Sequence, residues 1–151
     1  MITIDSQIWI YYFDPNAPEN ANATQWMETK LISEEIALSA IIPLEVAHNL
    51  YSIPKFPLDQ IERLIFRWIT QKNIKILEIS QKEMIYSLQL LKTYRSRGIG
   101  GRDCLILATM DPCNVDILVT HDKNLLKLDR FTRIDPVSNP PMVLKKVEGS
   151  G

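Results

Sequence analysis

The chain opens with MITIDSQIWIYYF, residues 1–13, in which a short apolar run ends at Asp5 and a stretch of helical character follows. Three later segments also place an acid where a strand ends or a helix begins: Glu45 in SAIIPLEVAHNL (39–50), Asp103 in GGRDCLILATM (100–110) and Asp122 in DILVTHD (116–122). In an open α/β sheet, the carboxyl ends of neighbouring strands, about 4.8 Å apart, face one crevice. Converging carboxylates repel one another unless a cation lies between them, so the four acids predict a divalent-metal site.

Hydrophobic periodicity predicts strands that alternate with helices. The predicted strands are residues 2–5, 36–39, 74–79, 116–120 and 131–134, the last at the edge of the sheet. The predicted helices are residues 6–13, 21–33, 43–51, 59–71, 80–94, 102–110 and 123–128. This alternation predicts an α/β fold with a central parallel sheet of four to five strands and helices on both faces. We expect one domain over residues 1–137 and an irregular tail over 138–151, whose Gly-Ser-Gly end is typical of a cloning remnant.

Charge is distributed unevenly along the chain. Residues 1–51 hold seven acids and one lysine, whereas residues 52–151 hold sixteen lysines and arginines and eleven acids. A basic part beside an acidic cluster suits a polyanion held near a metal site, although solvated helix faces explain most single lysines. No basic segment followed by an apolar stretch begins the chain, and no apolar run is long enough to cross a membrane. We therefore expect a cytoplasmic protein without a membrane partner, in which Cys104 and Cys113 are reduced thiols.

Four motifs, taken in order, resemble the PIN domain, a metal-dependent ribonuclease fold, and most of all the VapC-type toxins of toxin–antitoxin pairs. They are Asp5-Ser6 with Trp9 after the first strand, PLEV at 43–46, DCLILA at 103–108 and THDKNL at 120–125. Each motif alone is common, but the four in this order form a specific joint pattern over about residues 1–135. The resemblance implies a parallel sheet ordered 3-2-1-4-5, Mg²⁺ or Mn²⁺ as cofactor, an RNA substrate and a cognate antitoxin.

The resemblance also implies roles for the site residues. Asp5 and Asp103 would be the principal metal ligands, and Glu45 and Asp122 would bind through water or complete a second metal site. All four acids are thus expected to be catalytic: one metal activates water, and a second metal or a basic group stabilises the leaving 3′ oxygen. Ser6 and Thr120 are expected to orient the carboxylates or hold water.

Each acid also has an ordinary structural interpretation. Asp5 and Asp122 suit helix N-caps, a role that is compatible with metal binding. Glu45 suits the positive end of a helix dipole, and Asp103 beside Arg102 suits a surface ion pair. Their joint placement favours the metal site in all four cases.

Three arginines are candidates for RNA binding. Arg95, Arg97 and Arg102 bracket the loop Gly98-Ile99-Gly100-Gly101 just before Asp103, where they could hold phosphates. Positive charge at a helix C-terminus explains the first two equally well. His48 and His121 lack metal-ligand spacing with another histidine, so we expect them to have surface or packing roles. Trp9 is expected in the core beneath the site, and Trp26 and Trp68 in the core or at a partner contact.

Three functions fit these observations. The first is a metal-dependent endoribonuclease that acts as the toxin of a pair, and the second is a non-toxin PIN-type nuclease of RNA processing or repair. The third is a non-catalytic, Mg²⁺-binding α/β signalling or interaction domain. The acids are spread over four separate elements, which disfavours the third because receiver domains cluster their acids mainly after two strands. The bulky apolar residues of helices 21–33 and 59–71 predict a homodimer or an antitoxin groove.

Overall fold

The computed structural model, which describes residues 1–149, contains a single mostly parallel sheet with helices around it. Its strands are β1 (Ile2–Ile4), β2 (Ile36–Ser39), β3 (Ile74–Leu77), β4 (Ile117–Val119), β5 (Thr132–Asp135) and β6 (Met142–Leu144). Its α-helices are α1 (Ser6–Phe13), α2 (Asn20–Ser33), α3 (Ile41–Tyr51), α4 (Leu58–Ile69), α5 (Gln81–Tyr94) and α6 (Gly101–Met110). Short 3₁₀ turns cover Arg95–Arg97, Asp111–Cys113 and Leu125–Lys127.

The sheet places β1 between two parallel neighbours, β2 on one side and β4 on the other. Parallel pairing continues from β2 to β3 and from β4 to β5, so the implied order 3-2-1-4-5 is confirmed. Helices α1 to α4 contact one another, and α5 packs against α6. Because the chain moves from β1 towards β3 and then returns to β4, right-handed crossovers place these two groups on opposite faces. Because β2, β1 and β4 are adjacent and parallel, their carboxyl ends meet at one edge of the sheet.

The sheet has one strand more than predicted, because β6 pairs antiparallel with β5. β6 arises from the segment 138–151, so the prediction of an irregular tail is wrong for these three residues. β5 consequently lies inside the sheet and is not the edge strand that was predicted. The pattern missed β6 because it is short, largely exposed and preceded by prolines, and so has no core periodicity. Ser150 and Gly151, which belong to the predicted Gly-Ser-Gly remnant, lie outside the described residues.

A buried arginine fastens this last strand to the domain. Arg133 on β5 is only 7% exposed, and its guanidinium donates to four backbone carbonyls. Nε donates to Leu126 O at 3.0 Å, and Nη1 donates to the carbonyls of Phe131, Lys145 and Leu144 at 2.7, 3.0 and 3.4 Å. One side chain thus joins the loop after β4, the start of β5 and the end of β6.

Local sequence signals account for most element boundaries. Asp5 caps α1, and Ser80 with Glu83 forms the predicted capping box before α5. The predicted helix 123–128 is reduced to a 3₁₀ turn, Leu125–Lys127, because β5 begins only a few residues later. The strands predicted at 74–79 and 116–120 are shorter than expected, since pairing ends where the chain turns into the next element.

The core is rich in aromatic rings under α1. Trp9 is fully buried, its ring centroid lies 4.4 Å from that of Trp68, and its Nε1 donates to Ile4 O at 3.2 Å. Trp26 is also buried, so the core prediction holds for all three tryptophans. Both cysteines are free, as predicted. Within residues 1–149, no helix combines the length and the hydropathy needed to span a membrane.

Candidate metal centre

Asp5 lies at the end of the central strand and is held by two elements. As the N-cap of α1 it has φ −62° and ψ 151°, and its Oδ1 accepts a hydrogen bond from the Ser6 N–H at 2.8 Å. Its Oδ2 accepts from Thr120 Oγ1 at 2.9 Å. Thr120 follows β4 and is fully buried, so this bond crosses from one strand end to the next. The capping interpretation is therefore confirmed, and Asp5 lies between the carboxyl ends of β1 and β4, whereas its role as a metal ligand stays a prediction.

The electrostatics of Asp5 indicate that other acids are close to it. Its side chain is deeply buried, and the pKa of Asp5 is raised to about 6. Burial is the largest cause of this increase, the negative charges of Asp103 and Glu45 add to it, and the hydrogen bonds from Thr120 and Ser6 oppose it. The carboxyl ends of β1 and β2 and the start of α6 thus bring three of the predicted acids together.

Glu45 extends from the first half of α3 into the same region. Its side chain is 9% exposed, and Oε1 lies 3.0 Å from Nη1 of Arg102. The other oxygen, Oε2, is buried and accepts no hydrogen bond from the described residues. Burial raises the pKa of Glu45, while Arg102 and the nearby hydroxyl of Ser6 lower it. Oε1 of Glu45 is therefore paired with a guanidinium, whereas Oε2 can still accept a hydrogen bond or bind a cation.

Asp103 lies in the first turn of α6 and is half-buried. Its Oδ2 accepts from the Gly100 N–H at 3.3 Å, a long bond that occupies only one oxygen. Burial raises the pKa of Asp103, and the charge of Asp122 raises it further. Asp103 thus interacts electrostatically with Asp122 as well as with Asp5.

Asp122 is exposed and is engaged mainly by its own loop. Its Oδ1 accepts from the backbone N–H groups of Asn124 and Leu125, at 2.7 and 2.9 Å, and so begins the 3₁₀ turn. Its own N–H donates to Thr120 Oγ1 at 3.0 Å. Thr120 therefore bridges Asp5 and the Asp122 loop, which fits the orienting role predicted for it. Ser6 lies between Asp5 and Glu45, since its Oγ is 3.5 Å from Asp5 Oδ1 and its hydroxyl also influences Glu45.

The donor set fits a hard divalent cation in chemistry. The donors near Asp5 are carboxylate and hydroxyl oxygens, which Mg²⁺ and Mn²⁺ prefer. Glu45 Oε2 is an unpaired buried acceptor among them, an arrangement that is unusual unless a ligand completes it. Within residues 1–149, no three His, Cys, Asp or Glu side chains already form a metal-binding group. Arg102 pairs with Glu45 Oε1, and backbone N–H groups bind Asp122 Oδ1. The four acids are therefore neighbours, but their oxygens do not converge on one point.

The three candidate RNA-binding arginines are all exposed, but their settings differ. Arg95 and Arg97 lie in the 3₁₀ turn after α5, and the guanidinium of Arg97 lies 5.7 Å from the centre of the Tyr94 ring. Arg102 turns back to Glu45, a contact that the sequence analysis did not predict. The two histidines also differ, since His48 is exposed on α3 and His121 is paired.

Two polar contacts beside the site were missed by sequence reasoning. His121 Nδ1 lies 3.0 and 2.9 Å from the two oxygens of Asp135, which is a buried residue. Asn124 Nδ2 donates to Gly98 O at 3.3 Å and so joins the Asp122 loop to the glycine loop before Asp103. The asparagine in THDKNL was the only available signal, and it does not indicate a partner.

Comparison with known proteins identifies the fold. The family model of the PIN domain matches residues 2–131. The chain belongs to the PIN-domain family. The family that the four motifs suggested is thus confirmed, and the match includes all four predicted acids of this PIN domain. No curated protein sequence matches the chain.

Solved structures share the architecture of this PIN domain. VapC20 of Mycobacterium tuberculosis, a toxin that cleaves the sarcin-ricin loop, aligns with a TM-score of 0.70 at 11% identity, over 82% of this chain and 91% of that chain. A toxin–antitoxin complex from Klebsiella pneumoniae aligns with a TM-score of 0.65 at 23% identity, over 90% and 98% of the two chains. VapBC2 of Rickettsia felis, bound to a promoter DNA fragment, gives 0.62 at 22% identity, over 87% and 93%. At these identities the likeness establishes a common fold.

Proposed function

We propose that this PIN domain is a metal-dependent endoribonuclease and the toxin of a toxin–antitoxin pair. The observation that carries the proposal is the crowding of carboxylates at the carboxyl end of β1, where buried Asp5 is bonded to Thr120 at the next strand end and lies close enough to Asp103 and Glu45 for their charges to raise its pKa. A fold that concentrates carboxylates in this way stores unfavourable electrostatic energy, and a bound cation removes it. The fold shared with VapC toxins supports the same assignment.

The proposed roles follow from the contacts of each side chain. Asp5 and Asp103 would hold Mg²⁺ or Mn²⁺ directly, with Glu45 and Asp122 binding directly or through water. The bound metal would supply an activated water and neutralise charge on the leaving 3′ oxygen. Thr120 donates to one oxygen of Asp5, and this hydrogen bond would orient the carboxylate towards the bound metal.

Arg95 and Arg97 are proposed to contact phosphates of the RNA. Both are exposed and lie just before the glycine loop that leads to Asp103. Arg102, also exposed, follows this loop and directly precedes Asp103 in the sequence. If these arginines hold the RNA, changing all three to alanine should reduce the slope of log affinity against log salt concentration. Fewer phosphate contacts mean that fewer counterions are released when the RNA binds. Fluorescence anisotropy with a labelled RNA at several salt concentrations measures this slope, and an unchanged slope would place the RNA elsewhere.

An antitoxin is the proposed protein partner. A cavity of about 510 Å³ opens between the end of α1 and α4, lined by Phe13, Phe56, Leu64 and neighbouring proline and arginine side chains. Phe66 on α4 is 64% exposed, and Leu44 on α3 is 70% exposed, which leaves further apolar surface for a second copy of the chain. The toxin–antitoxin complexes among the similar structures support such a partner. The cytoplasm is the compartment that fits an RNA substrate and an antitoxin.

Cleavage of RNA by the purified protein tests the proposed activity. Total RNA is incubated with the protein and Mn²⁺, and in parallel with EDTA, and the 5′ ends of the products are mapped. We expect discrete internal cuts with Mn²⁺ and none with EDTA, and a loss of at least about a hundredfold in rate for Asp5→Asn and Asp103→Asn. His48→Ala is the matched control, since His48 is exposed on α3 and is not one of the proposed metal ligands. Full activity in both aspartate variants would refute the proposed site.

A further inference from the structure

The ion pair between Arg102 and Glu45 joins a side chain in water to one in the interior. Nη1 of Arg102 lies 3.0 Å from Oε1 of Glu45, and the two side chains are 73% and 9% exposed. The second glutamate oxygen, Oε2, is buried and has no hydrogen-bond partner among the described residues. Buried carboxylates usually have both oxygens satisfied, so Glu45 retains the capacity to bind a further positively charged ligand.

The exposed partner of this pair is easy to displace. Most of the Arg102 side chain is in water, where solvent and salt weaken an ion pair. A divalent cation carries twice the charge of a guanidinium and prefers carboxylate oxygens. Glu45, whose charge also acts on Asp5, lies where such a cation would interact with several carboxylates at once.

Once a cation has displaced Arg102 from Glu45, the position of Arg102 allows it to contact a phosphate group. It directly precedes Asp103 in the first turn of α6, so it stays beside the acids whichever way its side chain points. A guanidinium binds phosphate oxygens in a bidentate geometry that matches their spacing. The same side chain can therefore hold a carboxylate in the free protein and a phosphate in the complex.

We propose that Arg102 is an internal counter-ion that holds Glu45 in the metal-free protein, is displaced by the divalent cation and then contacts a phosphate of the bound nucleic acid. The inference rests on the proposed function, because it requires a cation at the four acids. It assigns to Arg102 a positioning role that depends on the metal, in contrast to the permanent phosphate contacts proposed for Arg95 and Arg97.

Titration calorimetry with Mn²⁺ tests the first step. The variants are Arg102→Met, Glu45→Gln and the double variant, and Arg63→Met on the exposed part of α4 controls for the loss of one positive charge. We expect Arg102→Met to bind Mn²⁺ roughly two- to fivefold more tightly than the parent, which is the range for loss of an exposed ion pair. On the Glu45→Gln background the same change should have no effect, because the competition for Glu45 is already absent.

The outcomes separate the inference from the proposed function. If the parent binds no Mn²⁺, the metal centre and the inference fail together. If the parent binds Mn²⁺ but Arg102→Met does not bind it more tightly, the inference is overturned and the metal centre stands. The same holds if the tightening persists with Glu45→Gln or also occurs in Arg63→Met, since simple charge repulsion would then explain it.

Binding of a short oligothymidylate, which carries phosphodiesters but no 2′-hydroxyl groups, tests the second step. Mn²⁺ should increase the affinity of the parent for this strand more than the affinity of Arg102→Met, because only the parent gains a released guanidinium. An equal change in the two proteins would show that Arg102 does not transfer to a phosphate.

Discussion

Asp5 combines a structural and a chemical role in one carboxylate. It caps α1 through Ser6, joins β1 to the end of β4 through Thr120, and carries the charge around which the other acids are arranged. A carboxylate with favourable hydrogen bonds usually has a lowered pKa, yet that of Asp5 is raised to about 6. Burial and like charges therefore outweigh the hydrogen bonds at this position.

The raised pKa of Asp5 predicts how the stability of the metal-free protein depends on pH. Because the pKa is about 6 in the folded chain and near 3.8 in the unfolded chain, the folded state binds the proton more tightly. Protonation of Asp5 therefore stabilises the folded state. This stabilisation is fully present below about pH 4 and is lost as pH rises through 6, which lowers the unfolding free energy by up to about 3 kcal/mol. Denaturant unfolding between pH 4 and 7.5 measures it.

Asp5→Asn is the matching variant, since the amide keeps the shape and cannot titrate. Its unfolding free energy should fall less steeply with pH than that of the parent over the same range. Some slope should remain, because burial also raises the pKa of Asp103 and of Glu45. Parallel curves for the two proteins would show that Asp5 does not carry the pH dependence.

Asp103 gives a prediction that links stability to metal binding. Without metal, Asp103→Asn removes one negative charge from the cluster, so the variant should melt about 2–4 °C higher than the parent, as ~1 kcal/mol does in a domain of this size. Mn²⁺ should raise the melting temperature of the parent and raise that of the variant much less. Four melts at neutral pH, with EDTA and with Mn²⁺, decide the matter. A lower-melting variant with the same Mn²⁺ response would make Asp103 a structural cap.

At the scale of elements, one side-chain amide joins the loop of Asp122 to the glycine loop that precedes Asp103. Asn124 in the Asp122 loop donates to Gly98, which has φ 76° in the loop before Asp103. A Cβ added at Gly98 would lie 2.6 Å from Asn124 Nδ2. Glycine therefore serves both the left-handed backbone and the close approach of the two loops.

Gly98→Ala should accordingly destabilise the protein by about 1–2 kcal/mol, from the positive φ and the displaced asparagine. In the Asn124→Ala background the cost should fall to about 1 kcal/mol, because only the backbone strain remains. Gly101→Ala is the control, since a Cβ there meets no atom within 4 Å and α6 accepts alanine readily. Chemical denaturation measures all three, and an equal cost in both backgrounds would show that the loops are not coupled through Asn124.

Sequence patterns predicted those elements whose signals are local. The cap at Asp5, the capping box at Ser80 and the apolar runs of β1, β2 and β4 each determine their own structure over a few residues. β6 escaped prediction because it is short and largely exposed, and its attachment depends on pairing with β5 and on the buried Arg133. The four acids were predicted to form a site from their positions at strand and helix ends, and this role stays a prediction. The pairing of Arg102 with Glu45 depends on the three-dimensional approach of α3 and α6, which no pattern of spacing contains.

At the scale of the whole molecule, we expect Arg133 to decide whether the C-terminal strand stays attached. Arg133→Met removes the donor to the carbonyls of buried Leu126 and Phe131 and of exposed Lys145, so the unfolding free energy should fall by about 2–4 kcal/mol. Lys146→Met removes only an exposed ion pair with Asp116 and should cost no more than about 1 kcal/mol.

Limited proteolysis distinguishes a local from a global effect of this change. If Arg133 fastens β6, the Arg133→Met variant should be cut first within residues 138–149, at protease concentrations that leave the parent and Lys146→Met intact. Unchanged resistance of this segment would show that β6 is held by its backbone pairing with β5 alone.

The close contact between the rings of Trp9 and Trp68 has an optical consequence. Trp68 and Trp9 line one cavity together with Phe13, Leu64 and Arg67, next to the apolar opening proposed for an antitoxin. Indole emission depends on the polarity and the quenching groups around the ring, and these two rings, 4.4 Å apart, respond together. A peptide that fills the opening should therefore change the intrinsic fluorescence of the chain, which makes the protein its own reporter of partner capture.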